Sequence, residues 1–214
     1  MRIDRERDAL LVVDLQHDFR PGGALGVVGG DALVEPIARL VREFDTVVAT
    51  QDWHPRGHVS FASAHAGRRP FETIALAHAV QELWPDHCVQ GTRGAALHPG
   101  LPDAALTLIL RKGIHRYVDS YSTFRENVGP DGRRPTTGLG AWLSARGIRR
   151  VVLCGLARDF CVRVSAVDAV AEGFEVVVLD DLTRAVFPDR RAETDAALAA
   201  VGVRVARSGD LRPA

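Results

Sequence analysis

Three residues of this chain carry side chains that could do covalent chemistry together, and each stands at the end of an apolar run. The stretch 151–173 reads VVLCGLARDFCVRVSAVDAVAEG. Val151 to Cys154 reads as a buried strand ending at Gly155, after which Asp159 reads as the N-cap of a helix carrying Val162, Ala166, Val167 and Val170 on one side. Cys161 then falls in the first helical turn, where unpaired N–H groups and the positive end of the helix dipole stabilise an anion and favour a thiolate nucleophile. A lone cysteine is more often a small apolar filler, and Cys154 is read that way. Cys161 is more than filler only if the chain supplies an acid or base, a cation and a pocket. Asp14 closes the apolar run Ala9 to Val13, and Lys112 follows the run Leu106 to Leu110. Among 27 basic residues Lys112 is the only lysine. A compact amine can sit beside a nucleophile and shift its pKa as a guanidinium cannot, although a single lysine could equally be chance.

A second group of side chains suits a metal. Six of the eight histidines lie between His54 and His98. Asp52 and His54 alternate along an extended segment, so both point to one face, and His87 can close a facial site from the far end of the loop. Two imidazoles and a carboxylate with open positions fit a divalent transition metal. The same residues also read as ordinary polar-loop histidines, solvated or hydrogen-bonded. His58 is a candidate extra ligand; His65, His78 and His98 are left as loop residues.

These groups need a scaffold that brings strand ends to one edge. The spacing predicts a helix over 31–44, strands at Thr46 to Ala49 and Leu106 to Leu110, a long polar stretch from Gln51 to Cys88, and an aperiodic ordered loop from Ile114 to Pro135. Thr136 is expected to cap a helix running to Gly147, followed by the strand at 151, a strand at Glu175 to Leu179, a helix at Asp189 to Ala200 and a short strand at Val203 to Val205. Alternating strands and helices of this kind argue for an α/β fold, an open parallel sheet of about six strands with helices on both faces. Ligands of such sheets bind at the C-terminal ends of the strands, where Asp14, Lys112 and the turn before Cys161 would meet.

At 214 residues and 46% hydrophobic the chain can bury one core, and 1–214 is read as a single domain. Twenty-seven basic and 27 acidic residues cancel, so neither nucleic acid nor an anionic membrane is an expected partner. The first residues are charged and resemble neither a signal peptide nor a membrane span, and three cysteines in such a chain argue for reduced thiols and a cytoplasmic location. A homo-oligomer is compatible with this composition.

The segments VVDLQHDF, QDWHP, WPDHCVQGT, RKG with DSYSTF after it, and CGLARDFCV resemble, in order and over almost the whole chain, the nicotinamidases of the isochorismatase-like cysteine hydrolases, which also turn over pyrazinamide. The resemblance implies a catalytic triad of Asp14, Lys112 and Cys161. It implies an oxyanion hole from the N–H groups of Ala157 and Cys161, aimed by a cis peptide at Leu156-Ala157, and one divalent metal, zinc first or else iron or manganese, held by Asp52, His54 and His87. Phe19, Trp84 and Tyr121 match positions flanking the substrate ring. The implied reaction is hydrolysis of nicotinamide to nicotinate and ammonia through a cysteine thioester, in NAD salvage. Two residues depart from the family pattern: His17, where Asn is usual, and Arg158, where Thr is usual. Arg158 is expected close to the site, altering substrate size preference or pairing with an acid such as Asp181. The alternatives are an amidase of the same fold for another small carboxamide, a non-catalytic binding member of the fold, and a metal-water hydrolase in which Cys161 is structural.

Overall fold

Every long apolar run of the sequence becomes a strand of one sheet. The computed structural model describes residues 1–212. Among these the strands are β1 (Asp8–Val13), β2 (Thr46–Asp52), β3 (Thr73–Ala75), β4 (Val80–Glu82), β5 (Leu108–Lys112), β6 (Arg150–Leu156), β7 (Glu175–Arg184) and β8 (Arg204–Ala206). Six of them form a sheet in the order β5-β2-β1-β6-β7-β8 with every pairing parallel. β1 and β6 are buried along their length, which is why they read as continuous apolar runs rather than alternating ones.

The helices are α1 (Val34–Leu40), α2 (Leu139–Ala145), α3 (Arg163–Ala171) and α4 (Arg191–Ala200). They cover both faces, as the patterning requires. On one face Leu33, Ile37 and Val41 pack against Leu10, Val12 and Val152; on the other Leu143, Val162, Ala166 and Leu198 pack against Leu11, Val151 and Leu153. Since β1 lies between β2 and β6, chain connections leave it in opposite directions, and the crevice at its C-terminal end is the topological switch point where such folds bind ligands.

Several boundaries differ from the sequence expectation. The helix expected over 31–44 is one α-helix flanked by single 3-10 turns at Asp31–Leu33 and Val41–Glu43. Thr136 does not cap α2: its hydroxyl accepts the N–H of Gly138, closing a turn one step earlier, and Gly138 takes the N-cap position with φ +85°. β7 runs five residues further than expected, to Arg184, and the polar stretch after β2 contains the antiparallel β3–β4 hairpin, too short to stand out from its loop. β5 ends at Lys112 itself, in register with Asp52 of β2.

One glycine lets the sheet close on the site. Gly155 has φ +108°, and a Cβ there would lie 2.1 Å from the carbonyl oxygen of Val13. Only glycine allows β6 to approach β1 this closely where the two strands deliver Asp14 and the turn before Cys161.

Candidate active site

The parallel register decides who meets whom. Asp14 follows β1 with φ +48°, Lys112 ends β5, Asp52 ends β2, and Cys161 follows β6 in a π-helical turn, Arg158–Val162, that precedes α3. Lys112 Nζ lies 2.8 Å from Asp14 Oδ2 and 3.3 Å from Cys161 Sγ, hydrogen-bonds Asp52 Oδ1 and reaches the Ser120 carbonyl at 3.4 Å. Asp14 Oδ1 accepts the Thr50 hydroxyl at 2.6 Å, while Oδ2 has no hydrogen-bond partner besides its ion pair with the amine. All four groups are buried.

Burial sets the proton positions. It pushes the Cys161 thiol well above its ordinary value, and the attraction of Lys112 does not offset this; the resting group is a thiol, not the low-pKa thiolate expected from a helix N-terminus. Burial likewise raises Asp14 despite Lys112, leaving a carboxylate that gains by taking a proton. For Lys112, burial opposes the charge, but Asp14 and Asp52 outweigh it and hold the ammonium firmly protonated. An acceptor and a thiol, each within reach of one buried ammonium and within 4.8 Å of each other, are the parts covalent acyl transfer requires.

Asp52 joins this cluster to a second one. Its Oδ2 lies 3.7 Å from His54 Nε2 and 3.8 Å from His87 Nε2. Nδ1 of His54 contacts the Gly113 carbonyl at 3.0 Å and Nδ1 of His87 the Pro85 carbonyl at 2.8 Å. A carbonyl only accepts, so both Nδ1 atoms carry a proton and both Nε2 atoms are turned to Asp52. Burial also lowers His87 to about 4, which keeps it neutral. For His54 burial acts the same way, but Asp52 overcomes it and raises the imidazole above its ordinary value. Two nitrogens and a carboxylate oxygen in mutual reach fit a divalent metal ion. Gly113, at φ +65°, seats His54: a Cβ there would lie 2.4 Å from the imidazole. His58 does not join this set. Its Nε2 meets the carbonyls of His115 and Val118 at 3.1 and 3.3 Å and its Nδ1 meets Ser60 Oγ at 2.7 Å, so both nitrogens are engaged.

The pocket over these clusters is narrow. It is lined by Phe19, Trp84, Tyr121 and Phe160, with Cys161 and Ala157 on one side and Asp52, His54, His87 and Asp119 on the other. Trp84 Nε1 donates to Tyr121 Oη at 3.2 Å, and Phe160 meets Trp84 edge to face at 4.8 Å. The Leu156-Ala157 peptide is cis. A larger cavity of about 540 Å³ lies behind the nucleophile turn, lined by Arg158, Asp180 and Arg184, away from the thiol.

All the triad, metal and ring-flanking residues expected from sequence converge here. Besides the His58 ligand and the Cys161 thiolate, two further expectations need correction. Asp159 is not an N-cap: it sits inside the π turn, and its carboxylate accepts the N–H groups of Val186 and Phe187 at 3.0 and 2.8 Å. Arg158 does pair with acids, but these are Asp180 and Asp195 rather than Asp181, whose carboxylate accepts Ser208 at 2.6 and 2.8 Å, and it does not line the pocket, so the expected effect on substrate size has no contact behind it. His17 also lies outside the pocket, beside Arg20 and His98. Sequence reasoning missed Thr50, which holds Asp14, and Gln16, which clamps the Asp52 backbone through two hydrogen bonds of 2.8 Å. It also missed Phe61, whose ring packs 5.6 Å from each of His54, His58 and His87. Thr50 and Gln16 share a signal, position within three residues of a strand end; Phe61, in the loop nine residues after β2, carries no such signal.

The sequence model of the isochorismatase domain matches residues 8–210. The chain is 49% identical over 178 residues to a nicotinamidase of Acinetobacter baylyi, covering 83% of this chain and 81% of that one. Among solved structures it is similar to PnC1 of L. infantum in complex with nicotinate, with TM-score 0.86, 40% identity, and 99% and 98% of the two chains covered. It is also similar to a zinc complex of the Pyrococcus horikoshii pyrazinamidase, with TM-score 0.75, 33% identity, and 94% and 99% covered.

Proposed function

Because the chain belongs to the isochorismatase family, we infer that its thiol site hydrolyses nicotinamide to nicotinate and ammonia, and accepts pyrazinamide as a second substrate. The observation that carries this reading is Cys161 Sγ at 3.3 Å from Lys112 Nζ, itself 2.8 Å from Asp14, in a pocket lined by the aromatic rings of Phe19, Trp84, Tyr121 and Phe160.

In this reading Asp14 takes the thiol proton as Sγ attacks the carboxamide carbon, and Lys112 stabilises the sulfur charge while it exists. The C=O π pair moves to oxygen, where the N–H groups of Ala157 and Cys161 receive it; a donor of this kind lowers the barrier by roughly 3 kcal/mol. Asp14 then gives its proton to the departing ammonia, leaving a nicotinoyl thioester. The same carboxylate activates the water that cleaves the thioester and returns the proton to Sγ. Phe19, Trp84, Tyr121 and Phe160 hold the ring, and Asp52, His54 and His87 would hold one divalent ion, zinc first, with iron or manganese suiting the same donors. When bound, that ion supplies a Lewis acid to which the pyridine nitrogen can attach, fixing the ring relative to Sγ. Such an activity is consistent with a role in NAD salvage.

Ammonia release from nicotinamide tests the reading, measured with protein as prepared, after chelation, and after zinc is restored. Chelation is expected to lower kcat/KM about 100-fold, mainly through KM, because a ring left unanchored is misplaced. Re-addition of zinc restores it. No ammonia from the zinc-replete protein would rule out nicotinamide and turn attention to other carboxamides, and unchanged KM after complete chelation would rule out anchoring through the Asp52 site.

A further inference from the structure

Arg158 stands one residue after the oxyanion donor Ala157 and three before Cys161, yet it is only 4% exposed and does not touch the substrate pocket. Burying a guanidinium is costly unless it is paired. Here it is paired backwards through its two Nη groups: Nη1 lies 3.1 Å from Thr183 Oγ1 and 3.1 Å from Asp180 Oδ1, and Nη2 lies 2.7 Å from Asp195 Oδ1, while Nε has no hydrogen-bond partner among the described residues. Arg191 completes the network, bonding Asp180 at 2.8 Å and Asp195 at 3.3 Å. Two arginines and two aspartates thus tie the nucleophile turn to β7 and α4.

The sheet itself cannot hold the turn there. The β6–β7 pairing passes from Leu153 opposite Val178 to Gly155 opposite Thr183, so β7 bulges by three extra residues beside the site. Asp180 lies in that bulge. The ladder resumes at Gly155 and Leu156 and ends before Ala157. Beyond that point two side chains anchor the turn: the Arg158 fork ties it to β7 and α4, and the Asp159 carboxylate ties it to the N–H groups of Val186 and Phe187 just after β7. Oxyanion donors must be held within about 0.5 Å of their productive position to be effective.

On the reading that this site is a thioester-forming nicotinamidase, we propose that Arg158 is a positioning residue for the oxyanion hole, acting through Asp180, Thr183 and Asp195 and without contact to substrate. Its loss weakens the interaction made by the tetrahedral oxyanion and leaves ring binding unchanged. The probes are nicotinate, which reports ring binding, and nicotinaldehyde, which reports the oxyanion. With the aldehyde, Sγ bonds the carbonyl carbon, the π pair moves to oxygen, and the thiol proton goes to Asp14, with no leaving group.

Arg158→Met is expected to lower kcat for nicotinamide by ten- to a hundredfold and weaken nicotinaldehyde inhibition by a similar factor. Nicotinate affinity and KM stay within twofold. Arg158→Lys, which keeps the charge but not the fork, falls between. Asp195→Asn, at a half-exposed partner, gives a smaller shift of the same kind if Arg158→Met does not fold, and adds nothing to Arg158→Met when combined. Wild-type kcat and aldehyde affinity in Arg158→Met would overturn the proposal whatever its melting temperature. So would nicotinate and aldehyde affinities falling together, which would mean a deformed pocket. Wild-type protein that neither releases ammonia nor binds the aldehyde would overturn the reading of the site itself, and the proposal with it.

Discussion

Cys161→Ala is expected to release no measurable ammonia from nicotinamide, a loss of at least about 10⁴-fold in kcat, while binding nicotinate as wild type does. The size follows from what is removed. The thioester route disappears entirely, and catalytic groups that act as a unit lose most of their effect when the nucleophile goes. Binding is expected to survive because the residues proposed to hold the ring, Trp84, Tyr121, Phe19 and Phe160, and the proposed metal ligand Asp52 all line the pocket without depending on sulfur. Sγ is small and buried, so alanine leaves a gap of one atom and the fold persists. Ammonia release and nicotinate affinity, measured on the same preparation, separate this outcome from misfolding. Retained turnover in Cys161→Ala would instead favour direct attack by a metal-activated water, with the cysteine structural.

Lys112→Met should be nearly as damaging to turnover and much more damaging to stability. The ammonium is fully buried between Asp14 and Asp52, and methionine leaves both carboxylates without their cation. Breaking a buried ion pair from one side costs about 3–5 kcal/mol. Catalysis fails as well, by about 10³-fold or more, because nothing then stabilises sulfur as its proton leaves for Asp14. The stability loss has a pH signature. Asp14 already lies above its ordinary carboxylate value because of burial, and loss of Lys112 raises it further. Between the ordinary carboxylate range and that raised folded value the folded variant binds a proton the unfolded chain does not, so its stability rises as pH falls through this window. Chemical denaturation at neutral and mildly acidic pH checks the sign; a variant that loses stability in parallel with wild type on acidification would contradict it.

The fold was legible because its central strands are buried on both faces. VVLC, ALLVV and TVVA announce themselves as apolar runs, and their ends deliver Asp14, Asp52 and Cys161 directly. Lys112 stood out for a compositional reason, as one lysine among arginines, and the register that sets it beside Asp52 needed only the parallel arrangement. What escaped was local and polar. Asp159 has the residue type and place of an N-cap, but a side-chain carboxylate satisfies whichever N–H groups the fold brings near, and here those belong to Val186 and Phe187, more than 25 residues on. That Arg158 pairs with an acid is legible, but which acid is not: neighbouring acids in a bulged strand point to different sides, and Asp180, not Asp181, meets the guanidinium. The protonation state of Cys161 was also beyond sequence, since a helix N-terminus argues for a thiolate while complete burial reverses the balance.

The covalent step can be observed at equilibrium with nicotinaldehyde labelled with carbon-13 at the carbonyl, bound to zinc-replete protein and followed by NMR. Wild-type protein should convert the carbonyl signal to that of a tetrahedral thiohemiacetal, and Cys161→Ala should bind the aldehyde without forming it. The same tetrahedral signal in both proteins would place the attacking group elsewhere than Cys161, and a trigonal signal in both would contradict nucleophilic attack by this thiol.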